Sequence, residues 1–208
     1  MQEKICLGGS FNPIHHGHLL CARAAAEVLG AKTIVIFPAG TPPHKANDPD
    51  LASQQDRLQM CRLAVAGNPG FEIDDRELHR SGPSYTIQTA RQLHEAGWSE
   101  IRWLIGADML NFLPNWHEPD SLLREIEFIV MARPGFQFNW DSLPANYQLL
   151  RDKIVEVPQI DISSTEIRRR VGKGLPIDFL CPPAVCRYIR DHRLYQNAKD
   201  DGFGTPLK

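Results

Sequence analysis

Residues 4–19 read Lys-Ile-Cys-Leu-Gly-Gly-Ser-Phe-Asn-Pro-Ile-His-His-Gly-His-Leu. Lys4–Leu7 is a short strand, Gly8-Gly9-Ser10 breaks it, and an alanine-rich helix with 3.6-residue periodicity runs from Leu19 to Leu29, where Gly30 ends it. Two glycines directly after a buried strand let the backbone approach a ligand with no Cβ in the way. Gly17 precedes the helix, so the amides near His18 and Leu19 are expected to face outward, unpaired, at the positive end of the helix dipole. That makes an anion site before any side chain is counted. His15 and His18, three residues apart, add imidazole donors on the same side of the turn.

Working outward, Thr33–Phe37 (Thr-Ile-Val-Ile-Phe) is a continuous apolar, β-branched run of the kind buried on both faces of a parallel sheet. A Pro-rich loop spans Pro38–Pro49, and Ser53 caps a helix that runs to about Ala66. Phe71–Ile73 is a weak strand and Thr86–Ala96 a helix. Strands follow at Ile101–Ile105, Phe128–Met131 and Ile154–Val157, then helices at Ser164–Val171 and Pro183–Asp191. Strands alternating with helices imply right-handed βαβ units. The expected fold is α/β, a doubly wound parallel sheet in a single domain over residues 1–196, with a polar, disordered tail over 197–208. In such sheets ligands bind where strands exit into loops.

The 208 residues are 42% hydrophobic and 23% charged, a globular composition. A net charge of −2 offers no basic surface for nucleic acid, although Arg168-Arg169-Arg170 could meet phosphates locally. No apolar run approaches the roughly 18–20 residues a membrane span needs, and Met1–Lys4 leaves no room for a signal peptide. The five cysteines are odd in number, form no C-x-x-C pair and read as reduced core residues of a cytoplasmic protein. Homo-oligomerisation stays open.

His15, His16 and His18 could bind zinc, but no fourth ligand stands at a recognisable spacing and no H-E-x-x-H pattern occurs, so no metal-ligating residues are expected. Neither a G-x-G-x-x-G fingerprint nor a G-x-x-x-x-G-K-[ST] loop is present. Asp161-Ile162-Ser163-Ser164-Thr165-Glu166-Ile167-Arg168 has the form of a capped helix start. Ser163 and Glu166 fit a capping box, whereas three consecutive hydroxyls with Arg168 one turn on also suit phosphate oxygens. Other strand exits carry Thr41-Pro42-Pro43-His44-Lys45, Gly106-Ala107-Asp108 and Arg133-Pro134-Gly135. Ser84 is the expected cap of the helix that Ser84-Tyr85-Thr86 opens, and Trp116 lies in a Pro/Asn-rich turn.

The Gly8–His18 run resembles the signature of the nucleotidylyltransferase superfamily, whose H-x-G-H histidines hold a triphosphate. Relatives commonly carry Asp where this chain has Asn12. Asp161–Arg168 resembles the I-S-S-T-x-I-R motif of the same superfamily. With the middle segments, the chain resembles the bacterial nicotinate mononucleotide adenylyltransferases. That resemblance implies a Rossmann-like nucleotidyltransferase fold and transfer of AMP from ATP, with Mg²⁺, to nicotinate mononucleotide. It implies His15, His18, Lys45 and Arg168 in catalysis, and Gly8, Gly9, Ser10, Phe11, Arg133, Ile162, Ser163, Ser164 and Thr165 with them around ATP. Tyr85, Thr86 and Trp116, with Ser84 and Gly106, would surround the nicotinate, and Asp108 and Lys45 its ribose and phosphate. Transfer to another acceptor such as phosphopantetheine, a fragment of a class I aminoacyl-tRNA synthetase, and a non-catalytic nucleotide-binding module are the competing readings.

Overall fold

Six parallel strands form one sheet in a computed structural model that describes residues 4–43 and 48–198. They are β1 (Lys4–Gly9), β2 (Thr33–Pro38), β3 (Phe71–Ile73), β4 (Arg102–Gly106), β5 (Glu127–Ala132) and β6 (Ile154–Glu156). The spatial order is β3-β2-β1-β4-β5-β6, the doubly wound arrangement whose strand order reverses between β1 and β4. Here Cys6 and Leu7 stand opposite Trp103 and Leu104. Period-two alternation divides the four inner strands between two cores. Ile5, Leu7, Ile34, Ile36, Leu104 and Ile129 face one layer, and Cys6, Val35, Phe37, Trp103, Ile105 and Phe128 face the other.

The helices are α1 (His16–Val28), α2 (Gln54–Val65), α3 (Thr86–Glu95), α4 (Pro119–Glu125), α5 (Ser164–Gly172) and α6 (Pro183–Asp191). The expected strands and helices are all present, with shifted ends. Gly8 and Gly9 pair with Phe37 and Pro38 as the last residues of β1, so the break falls at Ser10. Helix α1 begins at His16, one turn before Leu19, because the His16 N–H is anchored on the Leu180 carbonyl (3.0 Å) from a distant segment. Gly30 follows its end at φ +63°, a left-handed position that glycine occupies without strain. Ser53 caps α2 as expected, its Oγ accepting from the Asp56 N–H at 3.1 Å. Short α4 gave no sequence signal, since seven residues led by Pro119 carry too little periodicity.

Residues 199–208 of the expected tail, and Lys45 with His44, lie outside the described residues. Among the described residues no helix is long and apolar enough to cross a membrane.

Candidate active site

A cleft of about 1120 Å³ opens at the carboxyl ends of β1, β2, β4 and β5, around the point where strand order reverses. Gly8, Gly9, Ser10, His15 and His18 line it from the first strand exit, and Ser84, Tyr85 and Thr86 from the start of α3. Gly106, Asp108 and Trp116 line it beyond β4, Arg133 beyond β5, and Ile162–Thr165 from the start of α5. The two motifs, separated by most of the chain, thus meet in one cavity. Phe11 and Arg168 do not line it. Phe11 is buried at φ +47°, and Arg168 is buried with Nη1 donating to the Asn12 carbonyl at 3.0 Å.

The histidines stack face to face, ring centroids 3.6 Å apart and planes inclined at 23°. The His15 N–H donates to His18 Nδ1 at 3.3 Å, which leaves the His18 ring proton on Nε2. The expectation for the helix amides needs correcting. The His18 and Leu19 N–H groups both bond the His15 carbonyl, at 3.1 and 3.3 Å, because the helix starts a turn early. The Gly17 N–H is the amide of this turn with no partner among the described residues. Gly17 also makes room for the ring beside it, since a Cβ there would stand 3.0 Å from His15 Nδ1. At Gly8 a Cβ would meet Trp103 Cζ2 at 2.5 Å.

His15 is 5% exposed, and its Nδ1 is buried without a hydrogen-bond partner. Burial, with a smaller contribution from His16, pushes its pKa down from 6.5 to about 4. It is therefore a neutral donor at neutral pH. An unfolded chain takes up a proton on this residue between pH 6.5 and 4 while the native chain does not. Stability from this source is full above pH 6.5 and is lost as pH falls through that window. At about 1.4 kcal/mol per unit, urea unfolding at pH 4.5 should show the unsubstituted protein losing about 2–3 kcal/mol more, relative to pH 7.5, than His15→Gln does. An equal loss in both proteins would remove His15 as the cause.

Asn12 stands where the family resemblance implies a carboxylate, and its surroundings suit the amide. Oδ1 accepts from the Ala52 N–H (2.9 Å) and the Tyr195 hydroxyl (2.8 Å), and Nδ2 donates to the Asp50 carbonyl (2.9 Å). A carboxylate would oppose that carbonyl oxygen without a donor between them.

At the start of α5, Ser163 Oγ accepts from the Glu166 N–H at 3.1 Å, half of the expected capping box. The other half is missing because the Glu166 carboxylate pairs with Arg169, both contacts at 2.7 Å. Ser164 Oγ donates to the Pro13 carbonyl at 2.8 Å and fastens this helix to the first strand exit. Ser84 is not the cap of α3. Tyr85 holds the cap position, no side chain caps the helix, and Ser84 Oγ instead accepts from the Thr41 N–H at 3.3 Å. The Thr86 and Ile87 amides therefore open the helix with no partner among the described residues.

Trp116 packs edge-on against Phe128, centroids 6.1 Å apart, and its indole Nε1 is buried without a partner. A Cβ at Gly106 would run into Asp108 Oδ1, so the glycine admits that carboxylate. Sequence reasoning missed Glu77 and His117, which also line the cleft. His117 stacks on Tyr85, centroids 4.1 Å apart. Glu77 is buried, accepts from the Thr89 hydroxyl and has a raised pKa because of its burial. Neither belongs to a periodic pattern or a recognisable spacing.

Among the described residues no group of three or more His, Cys, Asp or Glu side chains could hold a metal ion. The cleft instead presents imidazoles, hydroxyls and helix amides, which suit phosphate oxygens.

A cytidylyltransferase-like family model matches residues 6–170. A protein of Geobacillus thermodenitrificans named "probable nicotinate-nucleotide adenylyltransferase" is 43% identical over 189 residues, 90% of this chain and 83% of its own length. One of Roseiflexus sp. with the same name is 40% identical over 192 residues, 91% of this chain and 96% of its own. The Plasmodium falciparum nicotinic acid mononucleotide adenylyltransferase complexed with NaAD superposes with a TM-score of 0.74 at 21% identity, covering 94% of this chain and 98% of that one. That likeness carries the fold, and the closer sequences carry the family. With both signature motifs brought to one cleft, the chain belongs to the nicotinate-nucleotide adenylyltransferase family, within the cytidylyltransferase-like group.

Proposed function

We propose that the protein transfers the adenylyl group of ATP to nicotinate mononucleotide, giving nicotinate adenine dinucleotide and pyrophosphate. The observation that carries this reading is the meeting of the Gly8–His18 and Ile162–Thr165 segments with Tyr85, Thr86 and Trp116 around one cleft. The first two supply donors for a triphosphate, and the last three an aromatic wall beside an uncapped helix start.

The attacking group is the phosphate of the mononucleotide. Its second pKa is about 6, so it is mostly dianionic at neutral pH and needs no general base. It displaces pyrophosphate at the α-phosphorus of ATP. The site's work is to align two anions and to stabilise charge on the transferring phosphoryl group and on the leaving pyrophosphate. His15, as a neutral donor, His18 and the Gly17 amide are suited to the triphosphate. Lys45, outside the described residues, is assigned to the phosphates by the family resemblance alone. Arg168 acts from behind the wall through the Asn12 carbonyl. Mg²⁺ carried by ATP would neutralise part of the phosphate charge. Asp108 is the exposed carboxylate of the cleft that could reach its water shell. The five free thiols suit the cytoplasm.

Purified protein with ATP, Mg²⁺ and a panel of acceptors should release pyrophosphate and form the dinucleotide with nicotinate mononucleotide. Turnover with phosphopantetheine alone would reject the acceptor and keep the chemistry. ATP binding without pyrophosphate release would reject both.

A further inference from the structure

Arg57, in the second turn of α2, is 1% exposed, and among the described residues no carboxylate partners it. Its guanidinium is held by four backbone carbonyls. Nε donates to Ala52 at 3.1 Å, Nη1 to Ser10 at 2.8 Å and Ala39 at 2.6 Å, and Nη2 to Gly40 at 2.6 Å. Ser10 follows β1, Ala39 and Gly40 follow β2, and Ala52 precedes α2. One side chain therefore ties together the two strand exits that form one side of the cleft. A buried arginine without a counter-ion is uncommon, because desolvation of the charge is costly. Carbonyl dipoles solvate that charge without cancelling it, so a net positive field remains beneath the first strand exit.

The carbonyls also fix the amides. In a planar trans peptide, C=O and N–H point in opposite directions. Turning the Ser10 carbonyl inward turns the Phe11 N–H the other way, and that amide has no partner among the described residues. Turning the Gly40 carbonyl inward aims the Thr41 N–H at Ser84 Oγ, 3.3 Å away, and the Ser84 N–H returns to the Thr41 carbonyl at 2.8 Å. Ser84 immediately precedes the cap of α3. A continuous set of hydrogen bonds thus runs from Arg57 to both ends of the cleft.

We propose that Arg57 is a positioning residue for adenylyl transfer. It sets the spacing of the β1 and β2 exits, and with them the mutual approach of the two substrates, while its uncancelled charge helps hold the phosphates. The name of the reaction rests on the reading above; the geometry does not.

Arg57→Lys keeps the charge but cannot span four carbonyls, and Arg57→Met keeps the apolar length without either property. In folded protein well below its melting temperature, Met should weaken binding of a non-hydrolysable ATP analogue by about tenfold or more and lower kcat/KM by about 10²-fold. Lys should bind the analogue within about threefold of wild type yet lose about tenfold or more in kcat, a split that a purely structural staple does not produce. Arg57→Gln, uncharged with two donors, replaces Met if that protein does not fold. In the wild type, the analogue should slow hydrogen exchange of the Phe11 amide, and this needs no variant. Folded variants within about threefold of wild type in both affinity and kcat, or a lowered melting temperature alone, would overturn the proposal, as would unchanged Phe11 exchange. Failure of the unmodified enzyme to use nicotinate mononucleotide would reject the reaction, while the affinity arm, run with the analogue alone, still tests Arg57.

Discussion

His18→Ala is expected to lower kcat by about 10²-fold or more while leaving the circular dichroism spectrum and melting temperature close to wild type. The ring is half-buried at the cleft, with Nδ1 occupied by the His15 backbone N–H. Its Nε2–H is therefore a donor held in place before substrate arrives. A donor fixed in advance stabilises developing phosphate charge with no reorganisation during the reaction, which makes its loss a kcat effect. The KM for ATP should change less, because the Gly17 amide and the start of α5 remain. Truncation also removes the stacking of His18 on His15 and its edge contact with Phe11, centroids 5.2 Å apart, which predicts a small loss of stability. His18→Gln, which keeps an N–H₂ donor on a chain of similar reach, should recover part of the rate. Kinetics and calorimetry on the same preparation decide the matter: kcat within about threefold of wild type in a folded His18→Ala protein would remove His18 from the transition state.

The inner strands were legible because they are short apolar runs buried on both faces, and strand exits then marked where to search. Gly8–Ser10, Tyr85–Thr86, Gly106–Asp108 and Ile162–Thr165 reached the cleft for that reason. What failed depends on tertiary contacts. The start of α1 was placed at Leu19 because His16 and Gly17 have weak helix propensity, and only the Leu180 carbonyl supplies the missing anchor. Ser84 has the composition of a cap, but the Thr41 amide competes for its oxygen. Arg168 follows the signature into the cleft on paper. In the fold it is buried beside Ile167 on the inner side of α5 and meets the Asn12 carbonyl instead. Arg57 reads as one polar residue of an amphipathic helix until the loops after β1 and β2 close over it. Glu77 and His117 carry no local pattern, so nothing short of the folded chain brings them to the cleft wall.

The second large effect is a preference for nicotinate over nicotinamide mononucleotide of about 10²–10⁴ in kcat/KM. The two substrates differ by a carboxylate against a neutral amide of nearly the same shape, so an apolar slot alone discriminates poorly. Helix α3 supplies the difference. Its cap residue Tyr85 offers no side-chain bond, the Thr86 and Ile87 amides have no partner among the described residues at the positive end of the helix dipole, and Thr86 lines the cleft. With the pyridine ring against Trp116, its carboxylate can accept both amides; a carboxamide would turn N–H₂ towards a donor or offer an oxygen without full charge. Two charge-assisted bonds at about 1.5–3 kcal/mol each cover the stated range. Because the donors are backbone groups, Thr86→Ala should weaken the preference only modestly. Thr86→Pro is the sharper test. Proline is well tolerated at the first helical position, and Tyr85 already has the extended conformation, φ −88° and ψ 127°, that a following proline requires. The variant should fold, lack one of the two N–H donors, and cut the preference by about 10–10²-fold through a lower kcat/KM for nicotinate mononucleotide. Trp116→Ala should instead raise KM for both substrates, since the ring wall serves either one. Equal kcat/KM for the two mononucleotides in the unmodified enzyme would refute this account, and an undiminished preference in a folded Thr86→Pro protein would move the recognition of the carboxylate away from α3.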